Sequence, residues 1–203
     1  MEIGTLQLQD IIQLSLNKSI NYHTYRTLVS NLVEENSTSG NEKTEALANY
    51  TKLNDKRMKR WDKTVKIPEA LQQKILNYKK DLTLLVLTES WCGDAAHIIP
   101  VINKVAVLNP KIKLRLVFRD ENEPLMSHFL TNSGKAIPKL IAVNKDADVE
   151  FTFGPRPNEA TKLVADYKEK HGALTPEFKE DLQQWYNKNK GQAILEDLNK
   201  LLV

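Results

Sequence analysis

Apolar residues along the chain follow two rhythms. A three-to-four spacing occupies the first third and the last quarter, and short continuous runs lie between them. Tyr22, Tyr25, Leu28, Val29, Leu32 and Val33 form one stripe of a helix that should stop near Glu35. Asn36-Ser37-Thr38-Ser39-Gly40-Asn41 then reads as a polar loop by composition. A second helix is predicted from Glu42 past Trp61, with Leu47, Tyr50, Leu53, Met58 and Trp61 as packing residues. Pro68 fits the first turn of a third helix that carries Leu71, Ile75 and Leu76. Ahead of all these, Leu6-Gln7-Leu8 is short and ambiguous between strand and other structure.

The middle of the chain changes character. Leu82 to Leu87 is almost wholly apolar and rich in branched side chains, as a parallel strand buried on both faces requires. Polar Thr88, Glu89 and Ser90 end it, and Ala95, Ala96, Ile98, Ile99, Ile102, Val105 and Ala106 begin a helical period. Lys111 to Phe118 reads as a second parallel strand, followed by Arg119-Asp120-Glu121-Asn122 at its C-terminal end, the edge where open sheets bind ligands. A short helix from Pro124 through Leu130 leads to two strands, Leu140 to Asn144 and Val149 to Phe153, joined as a hairpin by Lys145-Asp146-Ala147-Asp148. Helices with Ala160, Leu163, Val164 and Tyr167, with Thr175 and Pro176 as N-cap and first residue of the next, and with Ile194 to Leu202 complete the chain.

Within this pattern Cys92, the single cysteine, occupies the turn between the first strand and its helix. Free N–H groups and the positive end of the helix dipole favour a thiolate there. Asp94 in the same turn disfavours one, or serves simply as a good first-turn residue. His97 is five positions from Cys92 and off its helical face, so a surface or half-buried histidine is expected.

Trp91-Cys92-Gly93-Asp94 after a strand, Pro100 eight positions beyond the cysteine, and Ala136-Ile137-Pro138-Lys139-Leu140 before a new strand resemble the thioredoxin superfamily. Together with the helices before the first strand, Arg119-Asp120-Glu121-Asn122 and Gly154-Pro155-Arg156-Pro157, they resemble a bacterial group of thioredoxin-like proteins. That resemblance implies an α/β thioredoxin-like fold, a mixed four-stranded sheet flanked by helices. It divides the chain into a helical N-terminal extension, 1–80, and a thioredoxin-like domain, 81–203. It also implies a cytoplasmic thiol-redox role, with Pro138 in a cis-proline loop whose Ile137 backbone faces Cys92 and pairs with substrate. Ala95 stands where the superfamily carries its resolving cysteine, and Val86 where many members carry a buried acid. With one cysteine no internal disulfide can form.

Two functions follow. Cys92 acts as a monothiol nucleophile that forms mixed disulfides with protein or small thiol and disulfide substrates, or the chain is a redox-inactive module that binds a peptide. Trp91, Gly93, Asp94, Ile137, Pro138, Arg119 and Arg156 are the expected binding residues.

Composition narrows the remainder. The 203 residues are 41% hydrophobic and 27% charged, which fits a soluble globular protein. A net charge of +3 is too small to imply a polyanionic partner by itself. The +5 stretch from Lys52 to Lys66 reads as a solvated helix face over Leu53, Met58 and Trp61, so nucleic acid is not expected. The start lacks a secretory pattern, no run approaches the ~20 apolar residues of a membrane span, and one unpaired cysteine suits a reducing compartment, the cytoplasm. No phosphate-cradling loop occurs among the seven glycines, and no His or Cys pair has ligand spacing, so neither cofactor nor metal is expected. Oligomeric state is left open.

Overall fold

A computed structural model describes residues 7–202. The apolar run becomes β1 (Leu82–Thr88), central in a sheet of order β2-β1-β3-β4 with β2 (Ile112–Phe118), β3 (Lys139–Val143) and β4 (Val149–Phe153). β1 runs parallel to β2, register Leu82 with Ile112, and antiparallel to β3, which pairs antiparallel with β4. The sheet is therefore mixed, as the two strands plus hairpin in the sequence predicted. Alternation of apolar and polar side chains is absent from β1 because both of its faces are covered; Leu84 to Leu87 are all buried.

Helices flank this sheet. α1 (Leu8–Lys18) and α2 (Tyr22–Glu34) meet β2, and α1 also meets α6 (Glu123–His128). The edge of β2 is closed by Ile20, which exchanges N–H···O bonds of 2.9 and 2.8 Å with Leu116. α3 (Glu45–Thr64) packs along α5 (Gly93–Ala106), and is tied to α2 by Arg26, which reaches Asp55 at 3.0 Å and Asp62 at 3.3 Å. α4 (Glu69–Leu76) precedes β1, and α7 (Asn158–His171), α8 (Pro176–Asn189) and α9 (Gln192–Leu201) end the chain. Asp197 of α9 caps α7, accepting from the Asn158 backbone at 2.7 Å. One apolar cluster extends from Ile11 to Leu202.

Several expectations need correction. Leu6 lies outside the described residues, but Gln7 is the N-cap of α1 and Leu8 its first residue, so the stretch is a helix start. α3 opens at Glu45, where Thr44 accepts from Leu47 N–H at 3.3 Å, rather than at Glu42. Pro68 is the N-cap of α4 rather than a residue of its first turn. Met58 and Trp61 dock beneath the basic face of α3, whereas Leu53, Tyr50 and Leu76 face solvent. No helix among the described residues is long and apolar enough to cross a membrane.

Candidate functional site

The apolar strand delivers the chain to a corner at the end of β1, where Glu89-Ser90-Trp91-Cys92 turns into α5. Cys92 is the N-cap, with Ala96 N–H bonding back to its carbonyl at 3.2 Å. Its Sγ donates to the Ile137 carbonyl at 3.3 Å, and the Ile137–Pro138 peptide is cis. Two segments 45 residues apart in sequence thus meet at one sulfur. Cys92 is only 8% exposed. Burial, then the neighbouring Asp94 charge, push its pKa up to about 12, against the opposing N–H groups of Ala95 and Asp94 and the charge of Arg156. The helix start does pull the thiol down and Asp94 does oppose it, as the sequence suggests, but burial, which the sequence did not show, outweighs the helix start.

Asp94 and Arg156 form one unit. Arg156 Nη2 lies 2.7 Å from Asp94 Oδ2, and the Tyr186 hydroxyl of α8 donates to Asp94 Oδ1 at 2.9 Å. Burial still holds the Asp94 carboxyl above its ordinary value, although Arg156 and Tyr186 act the other way. Arg156 Nε is buried with no hydrogen-bond partner among the described residues. Gly93 is half-buried. A Cβ there would lie 3.5 Å from Arg57 Nη1 and 3.6 Å from the Gln183 amide.

Trp91 and Arg119 stand on the other side. The Arg119 guanidinium lies over the Trp91 ring at 5.1 Å and pairs with Asp120 at 2.8 Å. Of the expected site residues, Cys92, Gly93, Asp94, Ile137 and Arg156 gather at the corner, Pro138 is buried, and Arg119 reaches Trp91.

Other site neighbours were not legible. Glu89, fully buried three residues before Cys92, accepts from Asp120 N–H at 3.0 Å and from the Ser39 hydroxyl, and burial raises its pKa. The only hint was a carboxylate directly after an apolar run, read as the strand's end. The polar loop is a loop, yet Thr38 and Ser39 are buried rather than solvated. Ser39 N–H donates to Ser90 Oγ at 2.9 Å and Ser90 N–H donates to Ser39 Oγ at 2.7 Å, a reciprocal clasp. Thr51 and Asn54 of α3 add bonds to Ser90 of 2.8 and 2.9 Å.

His97 is fully buried, contrary to the expectation of a surface or half-buried side chain. Trp61 Nε1 donates to its Nδ1 at 2.7 Å, so Nε2 carries the proton and donates to Gln183 Oε1 at 2.7 Å. Tyr186 stacks on the ring at 4.4 Å. Burial drops the imidazole pKa to about 3.

A family model described as thioredoxin matches residues 40–168. The chain belongs to the thioredoxin family. The match includes the Cys92 corner, Ile137-Pro138, Arg119 and Arg156, while α8 and α9 of this thioredoxin-family chain lie beyond it. Its fold is also similar to a protein of unknown function, PA1234, from Pseudomonas aeruginosa, at 17% identity and TM-score 0.56, covering 73% of this chain and 83% of that one. An HIV epitope-scaffold structure is similar at 16% identity and TM-score 0.54, covering 90% and 97%. No curated protein matches the chain. Among the described residues no group of three or more His, Cys, Asp or Glu could hold a metal ion.

Proposed function

We propose that this thioredoxin-family chain is a monothiol thiol–disulfide oxidoreductase acting through Cys92. The observation that carries the reading is the placement of Sγ at the N-cap of α5 and 3.3 Å from the Ile137 carbonyl, a sulfur flanked by backbone that an extended substrate can pair with. The Cys92 thiolate attacks one sulfur of a substrate disulfide, forming a mixed disulfide and releasing the other sulfur as a thiolate that takes a proton. An external thiolate then attacks the substrate sulfur of that mixed disulfide. It restores the Cys92 thiolate and leaves a new substrate disulfide. Resolution is external because Ala95 is an apolar, buried residue and Cys92 is the only cysteine. Such a cycle draws on a pool of small thiols, which supports a cytoplasmic setting and protein or low-molecular-weight disulfides as substrates.

The raised Cys92 pKa favours a second reading, a redox-inactive module that holds an extended peptide between Trp91 and Ile137-Pro138. Pull-downs with wild type and Cys92→Ser, each with and without reductant, separate the two. Partners lost on reduction and absent from the variant support thiol exchange. Partners retained in every lane exclude it and support the module.

A further inference from the structure

Helix α8 sits against the first turn of α5. Tyr186 donates to Asp94 at 2.9 Å and stacks on His97 at 4.4 Å. Gln183 accepts from His97 at 2.7 Å and lies against Gly93. Two side chains of one helix thus cover the residues that follow Cys92.

Elsewhere α8 has few holds, one of them Asn187, which accepts from Arg60 of α3. Leu182 and Tyr186 are its buried residues. Phe178 stacks on Tyr167 of α7 at 4.0 Å, and Trp185 donates to Glu159 at 3.3 Å in an exposed contact. Gly172 before it and Gly191 after it both have positive φ, +76° and +81°, so the helix hangs between two turns. An element with few buried apolar side chains is among the first to open locally. The helix also lies outside the segment the family model matches.

We propose that α8 is a cap over the Cys92 corner, held shut by the Tyr186–Asp94 and Gln183–His97 contacts, and that Cys92 reacts in the form with α8 lifted from α5. The purpose of such a cap rests on the thiol-exchange reading; its physics does not. Closed, Cys92 is buried and its thiol is held against the Ile137 carbonyl. Lifting α8 admits water, solvates the thiolate and opens a path for a disulfide.

The test compares iodoacetamide alkylation of Cys92 in the native full-length protein with amide hydrogen exchange. Phe178→Ala is the informative variant, because it loosens α8 without altering any group beside the sulfur. Loss of one stacked, partly buried ring should raise the open population, and with it the alkylation rate, roughly tenfold. The α8 amides should exchange faster by the same factor, while β1 amides keep their rate. Tyr186→Phe and Gln183→Ala should act in the same direction.

The proposal is overturned if Phe178→Ala speeds α8 exchange and leaves alkylation unchanged, or if wild-type Cys92 alkylates only as fast as the β1 amides open. The wild-type comparison decides even where a variant fails to fold. Capped alkylation with no turnover of hydroxyethyl disulfide and glutathione leaves the cap standing and removes the oxidoreductase reading. Turnover that is indifferent to α8 does the reverse.

Discussion

The His97 imidazole should make the protein sensitive to mild acid, by an amount the structure specifies. Trp61 N–H is a donor only, so Nδ1 has to accept and a second ring proton would point straight at another N–H. Arg57 and Arg60 add repulsion to the burial that brings the pKa from 6.5 to about 3. Between those values the unfolded chain binds a proton that the folded chain refuses. This contribution to stability is therefore complete above the unfolded pKa and is lost as pH falls through it toward the folded value. Integrated from pH 7 to pH 5, the loss is about 2 kcal/mol.

Urea unfolding at several pH values reads this directly, with His97→Gln as the reference. A glutamine can accept from Trp61 and donate to Gln183 without titrating, so subtracting its pH profile removes the contribution of every other group. The wild-type curve should fall below the variant's by that ~2 kcal/mol at pH 5. Parallel curves, or a native His97 that titrates near 6.5 by NMR, would refute the reasoning.

Other outcomes follow from the same contacts. With its pKa at about 12, Cys92 should alkylate about ten times faster per pH unit from pH 7 to 10 with no plateau, and Asp94→Asn should be faster than wild type at pH 8. A plateau near neutrality would contradict the buried thiol. Ser90→Ala strands the buried Ser39 N–H and should lower stability by about 2 kcal/mol, seen as a lower urea midpoint at constant slope. Gly154→Ala places a Cβ 2.2 Å from the Pro138 carbonyl oxygen at a φ of +107°, so it should cost about 3 kcal/mol or more in the same assay.

How much was legible differs by residue. The β1 run and the strand-to-helix corner were readable because consecutive side chains report directly on two-sided burial and on a change of period. The Ile137 segment was readable by resemblance alone, since periodicity does not say which loop faces which. His97 was misread because its partners, Trp61 and Gln183, lie 36 and 86 positions away. The loop of Thr38 and Ser39 was read correctly as a loop, but its burial was not legible, because the bonds with Ser90 that satisfy Ser39 in the interior join positions 51 residues apart. Leu53 erred the other way, an apolar residue at helical spacing left in water.

By itself the sequence determined the strands, most of the helices and the position of one sulfur at a corner, because backbone period and turn chemistry are local properties. The tertiary structure alone decided the condition of that sulfur. Its protonation depends on burial and on nearby charge, and packing rather than neighbourhood in the chain brings the Ile137 carbonyl and Arg156 to that corner.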